Sequence, residues 1–192
     1  MHLIFNKMSV DELLDAVSLK KKAVTRRSEN SLSYLIDRPM EQSECIRLGT
    51  AMESALSQIT EQKTTKNLKN IKPPNKKGKK EKDILFEDLD QIIIWYFEAK
   101  SNIELDTEKL AVTVKKIKEL KKDNNYAGGL LALRWLSKKD IPENLAKKYK
   151  DLGDDEIYGV NDYFNAVDVP YNFKDYDEYK KFVNGILAKI TQ

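Results

Sequence analysis

The chain has 192 residues, with 34 lysines and arginines against 31 aspartates and glutamates, which gives a formal net charge of +3. It contains one histidine, His2, and one cysteine, Cys45. These counts exclude Ser-His and Cys-His nucleophile pairs, zinc sites built from several histidines or cysteines, and intrachain disulfides. Any chemistry must rest on carboxylates, lysines, hydroxyls and a hard cation with oxygen ligands.

The length predicts a single domain over residues 1–192. No apolar run reaches the roughly 18–20 residues that a membrane span needs, and the N-terminus lacks the pattern of a signal peptide. We therefore expect a soluble, cytoplasmic protein.

Lysines concentrate in one part of the chain and acidic residues in another. Residues 63–82 contain nine lysines and one acidic residue, Glu81, whereas residues 151–192 contain nine acidic residues and four lysines. A basic run of this kind is typical of segments that contact nucleic-acid phosphates, where each neutralised phosphate releases counterions. A solvated, flexible linker has the same composition, so the run alone leaves both interpretations open.

Two helices are predicted in the first third of the chain. Residues 9–24 begin with a capping box formed by Ser9 and Glu12 and carry an imperfect apolar face. Residues 43–60 repeat apolar side chains at helical spacing, and Glu53 lies at the border of that stripe.

A basic connection then leads into a predicted β-hairpin. Residues 64–82 contain two adjacent prolines and a glycine, and are predicted to be a mobile connection. Residues 83–87 form a short strand, residues 88–90 a turn, and residues 91–100 a second strand. The second strand has the strongest signal in the chain, because six consecutive β-branched or aromatic residues lie within it.

The rest of the chain alternates helices and strands. The predicted elements are a helix from Asp106 or Thr107 to about residue 122, a strand over 126–136 whose second half could also be helical, a short helix over 141–150, a strand over 158–160 followed by an aromatic-rich loop to 169, and a closing helix over 175–190. This order indicates an α/β domain in which helices flank a mixed sheet containing the antiparallel hairpin.

Glu98 and Lys100 occupy the end of the apolar strand, where charged side chains are unexpected. An extended strand places both on one face. Burying a carboxylate and an ammonium group costs free energy unless they pair or serve a ligand. Folding the hairpin about its turn brings Asp83 to the same end, so two carboxylates and a lysine meet. A simple ion pair at the strand end is the alternative interpretation of this spacing.

The predicted trio suits phosphodiester hydrolysis. Asp83 and Glu98 can hold Mg²⁺, which keeps several waters and also ligates phosphate. The metal lowers the pKa of a bound water and stabilises charge in the transition state. Lys100 can orient or help deprotonate the attacking water, or neutralise the scissile phosphate.

These residues resemble the PD-(D/E)XK nuclease superfamily, and more specifically its type II restriction endonucleases. The resemblance covers about residues 43–137. Asp83 matches the first acidic residue of the motif, and Glu98 and Lys100 match its (D/E)XK. The predicted helix that carries Glu53 matches the first core helix, which often donates a further carboxylate to the metal site.

The resemblance implies a restriction-endonuclease-like core and a sequence-specific, Mg²⁺-dependent endonuclease for double-stranded DNA, in a prokaryotic type of cell. Cutting both strands of a palindrome calls for two active sites, so it also implies a homodimer. On this basis residues 1–42 are an N-terminal helical extension, residues 43–137 the catalytic core, and residues 138–192 a C-terminal part with a specificity loop and the closing helix.

The sequence departs from the family pattern at one position. Lys82 precedes the first acidic residue, where many family members have proline. Asp88 and Asp90 are rival candidates for that acid, but a typical hairpin favours Asp83, because Asp90 falls within the turn.

Further residues are candidates for DNA contacts. Some are basic; others form a polar-aromatic loop over residues 161–165, and in restriction enzymes such loops often read bases, where Asn can bind adenine bidentately. The candidates are Lys76, Lys77, Lys79, Lys80, Asn102, Lys138, Asn161, Tyr163 and Asn165. A plain surface loop is the alternative interpretation of residues 161–165.

Two alternatives to restriction remain open from the sequence. Another nuclease on the same core, such as a junction resolvase or a repair nuclease, would share the trio. A non-catalytic basic DNA-binding domain would use the lysines of residues 63–82 and show salt-sensitive binding without turnover.

Overall fold

The computed structural model describes residues 8–19, 30–71, 83–122 and 125–191. In these ranges no helix is long and apolar enough to cross a membrane. Most of the predicted basic connection, including its four candidate DNA-binding lysines, lies outside the described residues.

The first helix, α1, spans Val10–Asp15 and is shorter than the predicted range 9–24. Its N-terminus has the predicted capping box: the Ser9 side chain accepts from the backbone N–H of Glu12, and the Glu12 carboxylate accepts from the N–H of Ser9. Beyond the last turn, the N–H of Val17 donates to the carbonyl three residues before it, as in a 3₁₀ turn, and the helix ends there. The last five predicted positions lie outside the described residues.

The second helix, α2, spans Gln42–Lys63 and contains the predicted range 43–60. It continues past Thr60 because nothing in the next turn breaks it, and the N–H of Thr64 donates to the Thr60 carbonyl. Its apolar stripe is buried as predicted, with Leu48, Met52, Ala55, Leu56 and Ile59 in the core.

Five strands form one mixed sheet, and their spatial order follows the chain. They are β1 Leu68–Asn70, β2 Ile84–Asp88, β3 Ile93–Lys100, β4 Tyr126–Ala132 and β5 Ile157–Tyr158. The pairs β1–β2 and β2–β3 are antiparallel, whereas β3–β4 and β4–β5 are parallel. The predicted hairpin is therefore confirmed as β2–β3, inside a sheet of both senses.

Two strand predictions need correction. The predicted connection over residues 64–82 contains a strand: Leu68–Asn70 pairs with β2, because the partly buried Leu68 packs against the core. The predicted strand 126–136 ends at Ala132, where the N–H of Trp135 donates back to the Ala132 carbonyl and turns the chain.

The remaining helices are α3 Thr107–Lys121, α4 Glu143–Ala146, α5 Val160–Ala166 and α6 Tyr176–Thr191. Asp106 caps α3 by accepting from the N–H of Lys109. The predicted helix 141–150 is split between α4 and a 3₁₀ turn over residues 147–149.

Helix α5 replaces the loop predicted after residue 160. The predicted strand 158–160 is confined to Ile157–Tyr158, and the chain turns helical at once. Val160, Tyr163 and Phe164 recur at helical spacing and are fully buried, so burial of this face outweighs the strand propensity of the aromatic residues.

Helices cover both faces of the sheet. Helices α1, α2, α5 and α6 pack on one face, in a hydrophobic cluster that includes Phe97 and Leu131. Helices α3 and α4 pack on the other, against Tyr96 and Leu130. Residues 32–40 contribute buried side chains to the first cluster, so the described part of the predicted N-terminal extension belongs to the core.

Candidate active site

The three predicted site residues meet at one end of the hairpin. The strand register pairs Ile84 with Phe97, and continuing it by one residue puts Asp83 opposite Glu98. The Asp83 Oδ2 atom accepts a 2.8 Å hydrogen bond from the N–H of Ala99. Lys100 Nζ lies 2.7 Å from Glu98 Oε1 and 4.0 Å from Asp83 Oδ2. The ammonium group therefore bridges the two carboxylates.

Two further residues complete the surroundings of Glu98, whose side chain is buried. The Tyr96 hydroxyl and the ammonium group of Lys116 both donate to Glu98 Oε2. Tyr96 precedes Glu98 by two positions in β3 and therefore lies on the same face. Lys116 comes from α3, which covers that face, and its Nζ lies 5.7 Å from the centre of the Tyr96 ring.

The two carboxylates have opposite pKa shifts. Burial and the charge of Glu98 raise the pKa of Asp83 to about 6, although Lys100, Lys116 and the Ala99 N–H act against them. Burial also acts to raise the pKa of Glu98, but the charge of Lys100 and the hydrogen bonds from Lys100, Lys116 and Tyr96 outweigh it and lower the pKa. Glu98 therefore stays ionised at mildly acid pH, whereas Asp83 takes up a proton as the pH falls through about 6.

Tyr96 is held as a neutral hydrogen-bond donor. Burial raises the pKa of its hydroxyl, and the charge of Glu98 and the hydrogen bond to it raise it further, with smaller contributions from Asp83 and Glu53. The hydroxyl therefore fixes the orientation of the Glu98 carboxylate without competing for its charge.

The rival acids lie at the far end of the hairpin. Asp88 pairs with Ile93, at the turn end of β2, and its Oδ1 atom accepts from the N–H groups of Asp90 and Gln91. Asp90 in turn accepts from the Asn67 side chain. These contacts hold the turn together, so neither residue belongs to the trio.

A cleft of about 580 Å³ opens beside Lys100. It lies between α2 and the chain that leaves β3, and its lining includes Glu53, Lys100 and Asn102. Gly49, one turn before Glu53, also lines the cleft, and because it has no side chain, α2 lies close to Ser101. The structure thus brings the predicted fourth carboxylate and one predicted DNA contact to the same cleft as the trio's lysine.

The other predicted DNA contacts fall into two groups. Tyr163 is fully buried and its hydroxyl lies 2.7 Å from Thr60 Oγ1, so the prediction that it contacts DNA is wrong. The Asn161 side chain bonds both the N–H and the carbonyl of Phe173, which fixes a chain turn instead of facing outward. Its prediction as a base-reading residue is therefore not supported by its geometry.

Lys138 and Asn165 lie nearer the surface. Lys138 donates from Nζ to the Asp154 carbonyl and from its backbone N–H to Asp162. Asn165 is exposed, and its Oδ1 atom accepts from the side chain of Asn172.

The donor set fits Mg²⁺ by its chemistry. Within the described ranges no group of three acidic, histidine or cysteine side chains could hold a metal ion. Mg²⁺ needs fewer, because it keeps several waters and commonly uses one or two carboxylates. Asp83 and Glu98 supply two oxygen-bearing groups at one site, with no competing sulfur or imidazole ligand in the trio.

Sequence reasoning missed Tyr96 and Lys116. The sequence does indicate Tyr96, because a residue two positions before Glu98 in a strand lies on the face that Glu98 and Lys100 share. Lys116 sits beside the buried Ile117 in α3, but its contact depends on how that helix crosses the sheet, which residue spacing does not specify.

Comparison of the chain with known protein families, with curated proteins and with solved structures finds no match.

Proposed function

We propose that the protein is a Mg²⁺-dependent DNA endonuclease of the type II restriction class, built on a restriction-endonuclease-like core. The observation that carries this proposal is the convergence of Asp83, Glu98 and Lys100 at one end of β2 and β3. A cleft lined in part by Lys100 opens beside this point.

Each residue has a distinct role in the proposed reaction. Asp83 and Glu98 would hold the Mg²⁺, which supplies an acidified water and stabilises the charge that develops on the phosphate. Lys100 orients the attacking water or neutralises the scissile phosphate. Lys116 and Tyr96 keep Glu98 ionised and fix its orientation.

The pairing of Glu98 with two lysines also favours this function over a plain ion pair. A single lysine would neutralise one carboxylate, whereas here two ammonium groups and a hydroxyl converge on Glu98 while Asp83 retains a raised pKa. Clusters of carboxylates with perturbed pKa values are typical of catalytic sites, and Lys100 connects this one to the cleft.

The test is digestion of defined plasmid and phage DNA with Mg²⁺, followed by sequencing of the ends. We expect discrete fragments from the wild type and intact DNA from Lys100→Ala. Lys148→Ala, which removes an exposed lysine, serves as the matched control and should cut like the wild type. Equal absence of cleavage by wild type and Lys100→Ala, across divalent metals and substrates, refutes the proposal.

The same digestion separates restriction from related reactions. Selective cleavage of four-way junctions or damaged duplexes would indicate a junction resolvase or a repair nuclease with the same trio. Salt-sensitive binding without turnover would indicate a DNA-binding domain. Restriction of a palindrome further predicts a homodimer, which sedimentation of the protein with and without DNA measures.

A further inference from the structure

Arg134 lies at the same end of the sheet as the trio. Ala132, the last residue of β4, pairs with Lys100, and the N–H of Leu133 donates to the Lys100 carbonyl at 3.0 Å. Arg134 follows directly. Paired strands run roughly 5 Å apart, so its backbone is a near neighbour of the strand end that carries the catalytic lysine.

Three aromatic rings enclose the Arg134 guanidinium. Its central carbon lies 4.6 Å from the centre of the Trp135 ring, 5.1 Å from that of Tyr34 and 5.5 Å from that of Tyr176. Contacts of this kind hold the cation in place through the ring faces without neutralising its charge. The arrangement therefore orients the guanidinium while its positive charge persists.

The guanidinium also has unused donors. Its Nε and Nη1 atoms are buried and lack a hydrogen-bond acceptor, whereas Nη2 is not among the buried unpartnered atoms. Among the described residues, no carboxylate forms an ion pair with Arg134. Most buried donors in proteins are satisfied, and an unpaired one costs free energy. The charge of the guanidinium is therefore not neutralised by the described part of the protein, and an anion beside it would be attracted to that charge.

We propose that Arg134, held by Tyr34, Trp135 and Tyr176, binds a backbone phosphate of a nucleic acid beside the scissile position. This inference rests on the proposed nuclease function, since it assumes that the substrate crosses this end of the sheet. Arginine suits the role because its planar group bonds phosphate oxygens from a fixed orientation. The ligand contact is to the backbone, so it contributes to affinity equally on all sequences.

The experiment measures binding of a fluorescein-labelled DNA duplex by anisotropy over a range of salt concentrations, in EDTA and in Ca²⁺. We expect Arg134→Gln to weaken binding about tenfold, as for a charge-assisted hydrogen bond, and to reduce the salt slope by about 0.9, as for one phosphate contact. Lys148→Gln is the matched control for loss of one positive charge and should keep the wild-type slope. A purely structural role for Arg134 would lower the melting temperature without changing the slope.

Three outcomes separate this inference from the proposed function. If the wild type binds DNA and Arg134→Gln has the same affinity and salt slope as Lys148→Gln, the phosphate site is refuted and the nuclease proposal stands. A lowered affinity and slope in Arg134→Gln, in a protein that cuts no DNA with any metal, supports the phosphate site and refutes the nuclease. Absence of DNA binding by the wild type refutes both.

A second measurement needs no folded variant. The buried Nε–H of Arg134 is shielded from water, so it should give its own signal in the nitrogen-correlated NMR spectrum of the wild-type protein. Addition of the unlabelled duplex in Ca²⁺ should shift this signal. An unchanged signal at saturating DNA overturns the inference even if Arg134→Gln does not fold.

Discussion

The ammonium group of Lys116 donates to Glu98 Oε2, although the two residues belong to different layers, α3 and β3. Lys100 occupies the other carboxylate oxygen, Oε1. Glu98 is thus fixed from the sheet and from the covering helix at once, and the position of α3 becomes part of the site.

Replacing Lys116 by methionine should disturb Glu98 without removing any residue of the trio. We expect cleavage to slow roughly tenfold to a hundredfold, because the carboxylate loses one of the contacts that position it. We also expect a loss of about 1–3 kcal/mol in the free energy of unfolding, measured by urea denaturation in EDTA. Lys115→Met, on the same helix with a 74% exposed side chain, is the control and should change neither quantity appreciably. Equal behaviour of the two variants would contradict the assigned role.

Glu98→Gln should separate binding from chemistry. The amide keeps nearly the same shape but loses the negative charge that holds a cation and repels phosphate, so cleavage should be abolished while DNA binding is preserved or strengthened. The measurements are anisotropy for binding and gel analysis of ends for cleavage. Glu87→Gln, at the far end of the same hairpin, should cut normally. Normal cleavage by Glu98→Gln would remove Glu98 from the mechanism.

Asp83 should make the metal-free protein less stable as the pH rises. Its folded pKa is about 6 against an ordinary 3.8, so the folded state holds a proton that the unfolded state has released between these values. This contribution to stability is complete below the ordinary pKa and is lost as the pH rises through about 6. Asp83→Asn removes the titration.

The free energy of unfolding of Asp83→Asn, relative to that of the wild type, should therefore rise by about 2 kcal/mol between about pH 4 and pH 7. Urea denaturation in EDTA at several pH values measures this difference. A difference that stays constant over the range would show that Asp83 titrates normally in the folded protein.

Gly128 should tolerate no side chain. Its φ is +94°, and a Cβ atom would lie 2.1 Å from the Tyr96 carbonyl oxygen in the neighbouring strand. We expect Gly128→Ala to lose about 3 kcal/mol or more of stability, since both the backbone and the strand pairing must shift. Gly49→Ala is the matched control, because its Cβ would meet Ser101 at an ordinary 3.5 Å within a helix. That variant should be neutral or stabilised by up to about 1 kcal/mol in the same urea experiment.

Tyr163 should matter for stability and not for DNA. Tyr163→Phe removes the buried hydrogen bond with Thr60 and should cost about 1 kcal/mol in the free energy of unfolding, with unchanged DNA affinity. Asn165→Ala, two positions further on the same helix and exposed, is the comparison for a change at the surface. If Tyr163→Phe were fully folded but bound DNA less tightly, Tyr163 would have to belong to the DNA interface.

The parts of the site that sequence reasoning placed correctly share one hairpin. Asp83, Glu98 and Lys100 are linked by a short turn, and a short turn fixes the register between its two strands. The alternation of side chains along each strand then determines which of them share a face. The mixed sheet with helices on both faces also follows from the order of apolar patterns along the chain.

The parts that sequence reasoning missed depend on contacts between distant segments. Lys116 reaches Glu98 only because α3 packs across β3. The segment that contains Leu68 becomes a strand only because the edge of the hairpin is free to pair with it. At α5 the helical spacing of Val160, Tyr163 and Phe164 was present in the sequence, but aromatic residues next to glycine and asparagine also suit a strand and a loop. Burial against the sheet decides between these structures.

The order of the strands has a consequence for synthesis on the ribosome. Each strand pairs with its neighbour along the chain, so Asp83, Glu98 and Lys100 can come together as soon as β3 has emerged. The layer of helices on one face of the sheet is complete only once α6 has been made, since Lys181 of α6 pairs with Asp11 of α1. A nascent chain that ends before α6 therefore exposes the apolar side chains of α1 and α2 against which α6 packs, and such surface is prone to aggregate until the last helix covers it.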